Sequence, residues 1–211
     1  MSHASALICR RTPISLRRGL YNYNVMARSM KKRGGLADPV KLTSFADGEE
    51  DRIVVVIETP KGSRNKYAYD VTEHVFELKK VLPAGMAFPY DFGFVPSTRG
   101  GDGDPLDVLV LMDEPAFPGC KLTCRIIGLI EGEQGDKETK ERNDRVVAVE
   151  SENHSFTRVR HIDDLGKHFE KELEEFFVNY HRLSGKSYKI LAVKGPNAGH
   201  RAVEKACKAV R

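Results

Sequence analysis

Asp102-Gly103-Asp104-Pro105-Leu106-Asp107 runs directly into Val108-Leu109-Val110-Leu111. Three carboxylates within six residues repel one another and cost stability unless positive charge sits among them. Gly103 and Pro105 shape a turn, and the four apolar residues after it read as a buried strand. Carboxylates at such a junction are held in place, and they are the hard oxygen ligands that Mg²⁺ requires. Asp-Gly-Asp alone is usually an acidic, solvated turn; the adjoining buried strand weighs against that reading here. An EF-hand is rejected, because Gly103 and Pro105 break its spacing and the twelfth position counted from Asp102 is Asp113.

Upstream, residues 83–105 carry nine Pro and Gly residues, which predicts a long, shaped loop of the kind that is usually functional. Ahead of it, Ile53-Val54-Val55-Val56-Ile57 reads as a buried strand closed by Pro60 and Gly62. Lys66 to Asp70 and His74 to Leu78 read as shorter strands. Downstream, strands are expected over Lys121 to Ile130 and Val146 to Val149. Leu165, Phe169, Leu173, Phe176, Phe177 and Tyr180 form one helical stripe that Asp163 and Asp164 can cap and Gly185 ends. A last strand follows over Tyr188 to Val193. Pro196 then starts a second helix with Ala202, Val203, Ala206 and Val210 inward. Short strands followed by helices on one side predict a small Greek-key barrel with α additions.

The charge is unevenly spread. Residues 1–37 hold eight Lys or Arg and no acid, so the +4 of the whole chain less this +8 leaves −4 for residues 38–211. That basic, Ser-containing stretch fits a mitochondrial-type presequence, a nucleic-acid-binding arm, or a start placed upstream of Met26 or Met30. We read it as a disordered or spurious extension, with residues 38–211 as the folded domain. A surface that bound nucleic acid throughout would not divide this way. An OB-type nucleic-acid module also needs aromatic platforms beside a positive groove, and the body has no Trp. No apolar run is long enough to span a membrane. Cys9, Cys120, Cys124 and Cys207 make no CxxC pair and read as reduced thiols, Cys120 and Cys124 as two small apolar side chains on one face of a strand, which suits a cytoplasmic protein, or a mitochondrial one if the arm is a presequence. His154, His161 and His168 recur every seven residues but straddle a loop and a helix start, so they read as surface residues.

The segment Phe88-Pro89-Tyr90-Asp91-Phe92-Gly93-Phe94, together with Asp102-Gly103-Asp104-Pro105-Leu106-Asp107-Val108, resembles the signature region of family I soluble inorganic pyrophosphatases. The resemblance runs from about Ile53 to the C-terminus. It implies a mainly β fold with α additions, an OB-like five-stranded closed barrel flanked by two C-terminal helices. It also implies hydrolysis of pyrophosphate to two phosphates, Mg²⁺ as cofactor, and assembly as a homo-oligomer. Carried over by position, Asp102 and Asp107 match metal ligands, Asp104 the carboxylate that orients or deprotonates the attacking water, and Glu58 an outer-shell acid. Lys66, Lys80 and Arg145 match phosphate-gripping cations, and Tyr180 a phosphate-binding tyrosine. Without the resemblance, Lys66 and Lys80 are ordinary strand-edge lysines and Tyr180 ends an apolar stripe.

The chain departs from the pattern at several positions, which keeps open a second reading, a homologue with another phosphoanhydride substrate or reduced activity. Ala68 stands where the family has Glu, Phe88 and Phe92 where it has tyrosines, and His181 where it has Lys. The segment Gly132 to Asp144 is longer than usual. Counting back from Arg145 puts Asn143 on a metal-ligand position, with Asp144 beside it and Gln134 on another ligand's nominal place. Glu133 is the candidate replacement for that second ligand. A strand alternates faces, so Asp144 reaches the site only if the backbone bulges. We expect it to do so, because a metal site beside a highly charged substrate needs carboxylates.

Overall fold

The computed structural model describes residues 37–210, Lys137 excepted; the reading of the basic stretch before Ala37 and of Cys9 lies outside the described residues. The strands are β1 (Phe45–Ala46), β2 (Glu49–Thr59), β3 (Asn65–Asp70), β4 (Val75–Val81), β5 (Asp91–Phe94), β6 (Asp107–Leu111), β7 (Lys121–Gly135), β8 (Lys140–Arg142), β9 (Arg145–Glu150) and β10 (Ser187–Lys194). The helices are α1 (Gly166–Arg182) and α2 (Pro196–Lys208).

Five strands close a ring. β2 pairs with β5, β5 with β6, β6 with β9, β9 with β7, and β7 returns to β2. Only the β6–β9 contact in this ring is parallel. Closure depends on β7, whose 15 residues serve several partners: Lys121–Arg125 pair with β2, and Leu129–Gly135 with β10. A register shift between Ile126 and Gly128 lets the strand bend between these tasks. The result is the mainly β, five-stranded closed barrel with two C-terminal helices that the resemblance implies. β3 and β4 form a separate two-stranded hairpin.

Alternation along the strands divides the apolar side chains between two clusters. Val108, Val110, Val146 and Ala148 pack with Val203 and Ala206 of α2. Their neighbours Leu109, Leu111, Val147 and Val149 pack with Phe169, Leu173 and Phe177 of α1. Each helix thus covers one set, and burial of these side chains drives the docking of both helices.

Four local expectations need correction. The Pro/Gly-rich stretch is not all loop, because Asp91–Phe94 forms the fully buried strand β5. Gly93 makes that possible: a Cβ there would lie 2.1 Å from the Val56 carbonyl oxygen. His161, not Asp163 or Asp164, is the N-cap of the turn before α1; its Nδ1 accepts from the Asp163 amide, while Asp164 accepts from the His161 amide. Val210 is 49% exposed, since α2 ends at Lys208. Cys120 precedes β7 and is only half-buried, so just Cys124 is a core side chain.

Candidate active site

Asp102 and Asp104 occupy a tight turn between β5 and β6. The Gly100 amide donates to the Asp104 carbonyl at 2.6 Å, and Gly103 has φ of +93°, a conformation that glycine adopts without strain. Asp107 is the first residue of β6, so ring closure fixes its direction. These three carboxylates line a cavity of about 260 Å³ with Lys66, Gln134, Asn143, Arg145, Tyr180 and His181 among its other walls. An adjoining cavity shares Lys66, Phe92, Asp104 and Asp107 and adds Glu58 and Ala68.

The cationic wall is built across several elements. Lys66 and Lys80 are paired directly across the β3–β4 ladder, where like charges repel. Tyr180 of α1 relieves this: the two ammonium groups stand 5.8 and 4.7 Å from its ring centroid. Partial burial and the Lys66 charge together hold the Lys80 ammonium below the usual lysine range. Lys80 also donates to the Ser184 hydroxyl at 2.7 Å, which sets it at the rim of the first cavity. Arg145, 3% exposed, is gripped from all sides. Its guanidinium lies 4.2 Å from the Phe177 ring centroid and donates to the Tyr188 hydroxyl at 3.1 Å and the Asn143 carbonyl at 3.2 Å. Its Nε stands 3.5 Å from Asp107 Oδ2, an ion pair without hydrogen-bonding geometry.

Burial raises two of the site's acids strongly. Burial pushes the Asp107 carboxyl up to about 6, against the pull of Arg145 and Lys66. Burial pushes Glu58 up to about 7 although it accepts the Tyr69 amide at 2.8 Å, and Asp107 and Asp104 add to the rise.

The longer segment before β9 resolves against the bulged geometry. Asn143 lines the cavity and donates its side-chain amide to Asp102 Oδ2 at 3.2 Å. Asp144 points away, accepting from the Gly132 amide at 3.2 Å and pairing with Arg142 at 2.9 Å. The regular alternation of the backbone holds, and Arg142 satisfies the carboxylate that was expected inside. Glu133 is likewise outside, paired with Lys140 at 2.8 Å, while Gln134 lines the cavity. Among the described residues no three His, Cys, Asp or Glu side chains converge as a ready-made metal cage.

Of the predicted residues, the fold therefore brings together Asp102, Asp104, Asp107, Lys66, Arg145 and Tyr180, keeps Lys80 at the rim and Glu58 in the adjoining cavity, and excludes Asp144 and Glu133. Ser184 and Lys186 also line the cavity and were not anticipated. They flank Gly185, which has φ of +70°, and no local pattern distinguishes such a turn from any other helix end.

A closed barrel that gathers carboxylates and cations around one cavity defines a protein that handles phosphate anions. A model described as inorganic pyrophosphatase matches residues 55–211. The inorganic pyrophosphatase of Synechocystis is 41% identical over 156 residues, 74% of this chain and 90% of that one. That of Geobacillus stearothermophilus is 38% identical over 157 residues, 74% and 92% of the two chains. The crystal structure of inorganic pyrophosphatase from Thermus thermophilus matches with a TM-score of 0.75 at 32% identity, covering 82% of this chain and 99% of that one. This chain belongs to the inorganic pyrophosphatase family, and it is a hydrolase acting on pyrophosphate.

Proposed function

We propose that pyrophosphate hydrolysis in this chain uses Mg²⁺ as cofactor and Asp104 as general base. The observation that carries the proposal is that Asp102, Asp104 and Asp107 line one cavity together with Lys66, Arg145 and Tyr180. The donor set fits a hard divalent ion: it is all oxygen, and burial raises Asp107 and Glu58, a cost that a bound cation would offset. Mg²⁺ is commonly held by one or two carboxylates with waters and substrate phosphates, so a complete protein cage is not required. Asp102 and Asp107 would hold the ion, with Glu58 behind them. Bound there, it would supply Lewis-acid charge to the phosphoryl oxygens and lower the pKa of water.

Asp104 lines both cavities, where it would face the attacking water. It takes the proton as the water oxygen bonds to one phosphorus and the bridging phosphorus–oxygen bond breaks. Lys66 and Arg145 take up the charge that develops on the leaving phosphate, and Lys80 and Tyr180 hold its outer oxygens. Assembly as a homo-oligomer belongs to the same reading, supported by Val75, Leu78 and Val81, which leave β4 with exposed apolar surface. So does a cytoplasmic setting, supported by the free thiols of Cys120, Cys124 and Cys207. Among the described residues no helix is long and apolar enough to cross a membrane.

The test is phosphate release from pyrophosphate with Mg²⁺, with Ca²⁺ and with EDTA. Asp104→Asn is expected to lower kcat by about 10²–10⁴-fold, the usual worth of a positioned base, with unchanged melting. Full turnover in EDTA removes the metal from the reading, and a near-normal kcat removes Asp104.

A further inference from the structure

His181 continues the buried stripe of α1, one turn beyond Phe177, and is only 7% exposed. Its ring lies flat on Tyr188, with centroids 5.1 Å apart and planes at 8°, and meets Tyr180 edge-on at 5.2 Å. It lines the cavity of the carboxylates, yet its Nε2 is buried without a hydrogen-bond partner. A buried ring nitrogen left unsatisfied costs free energy unless a ligand completes it. The charged and titratable groups around the ring are Lys66 from β3, Lys80 from β4, Arg145 from β9, Lys186 before β10, and the Tyr180 and Tyr188 hydroxyls. Asp102, Asp104 and Asp107 line the same cavity, and Asp107 stands 3.5 Å from Arg145. The charges that bear most on His181, those of Arg145, Lys66, Lys186 and Lys80, are all positive, so protonation of the ring is opposed until an anion enters.

We propose that His181 is a proton-linked phosphate contact: it is neutral while the cavity lacks an anion, and takes up a proton as a phosphate group settles among Lys66, Arg145 and Lys186. The inference rests on the reading of this cavity as the phosphate site. Burial first, and then Arg145, Lys66, Lys186 and Lys80, push the free imidazole down to about 4. A phosphate reverses the electrostatic part of that shift, because each cation then faces a negative neighbour. Binding of anion and proton are coupled, and by linkage each favours the other. A lysine here would carry its charge at every physiological pH. The histidine makes grip on phosphate depend on pH and weakens it in the neutral range, which favours release of product.

The experiment follows the His181 imidazole resonance of the full-length chain by NMR across pH, with and without inorganic phosphate at fixed Mg²⁺. The signal is assigned by its loss in His181→Gln. Phosphate is expected to raise its midpoint by about one pH unit or more, a tenfold change in proton affinity. The ratio of phosphate affinities, wild type to His181→Gln, should then rise as pH falls toward the bound midpoint. His181→Lys should bind phosphate more tightly than wild type near neutrality and lose that advantage at acid pH. Phosphate binding with an unmoved His181 midpoint overturns the inference and leaves the hydrolytic reading intact. Failure of wild type and His181→Lys alike to bind phosphate overturns both.

Discussion

Glu58 ends the apolar run of β2 with its carboxylate on the Tyr69 amide, and burial lifts it from 4.5 to about 7. Between those values the folded chain holds a proton that the unfolded chain releases. The folded state is therefore favoured most below 4.5, and that contribution is lost as pH rises through about 7. Glu58→Gln is expected to stabilise the metal-free chain above pH 7, by at most about 3 kcal/mol at about 1.4 kcal/mol per tenfold change in proton affinity, and to have little effect at acid pH. Denaturant unfolding of both chains at about pH 5 and about pH 8 checks it; a difference no larger at the higher pH removes Glu58 as the source. Asn143 and Asp144 pose a second question at this scale. Asn143 faces Asp102, so Asn143→Asp adds a charge where a cation would bind and should lower the half-saturating Mg²⁺ by about tenfold, or 1.4 kcal/mol. Asp144→Asn weakens only contacts to Gly132 and Arg142 and should leave the Mg²⁺ requirement within about twofold. Activity against Mg²⁺ concentration separates them. A steep loss in Asp144→Asn would return that carboxylate to the metal. The sequence reading chose Asp144, and the structure reverses that choice, because regular alternation and not a bulge sets which of the two neighbours faces inward.

Among the elements, β5 is short, yet it joins β2 to β6 and so completes the ring. Its Phe92 and Phe94 are legible as strand residues only once the flanking Pro and Gly are known to be its ends. Gly93 sits directly against Val56, and any side chain must push β5 off its neighbour. Gly93→Ala is expected to cost more than about 3 kcal/mol, beyond the usual range for a point change, and to lower the melting temperature sharply. A thermal scan showing a stable variant would mean that β2 and β5 can separate without loss. The other elements were easier to read. Helix α1 showed its stripe at steps of three and four, and β6 and β9 showed unbroken apolar runs. What periodicity missed is where an element stops serving one partner and starts serving another, as β7 does at its register shift.

At the scale of the whole molecule, Ala37–Arg211 closes as one compact unit, and both apolar clusters lie within it. Asp38 belongs to that unit: its carboxylate accepts the Tyr69 hydroxyl at 3.1 Å and pairs with Lys41 at 3.0 Å. A chain lacking residues 1–37 keeps these contacts and should melt within about 2 °C of the full chain, a shift below what 1 kcal/mol produces at this size. Calorimetry of the two chains tests this, and a large drop would give the basic stretch a structural part. The sequence by itself determined the acidic turn and its strand, the positions of both helices, and the charge division between arm and body. These depend on residues a few places apart, whose chemistry is local. Only the tertiary structure decided that Asn143 faces Asp102, that Lys66 and Lys80 share the ring of Tyr180, and that His181 stands unpartnered among cations. Each of those joins residues from different strands and helices, and ring closure, not sequence spacing, sets the distances between them.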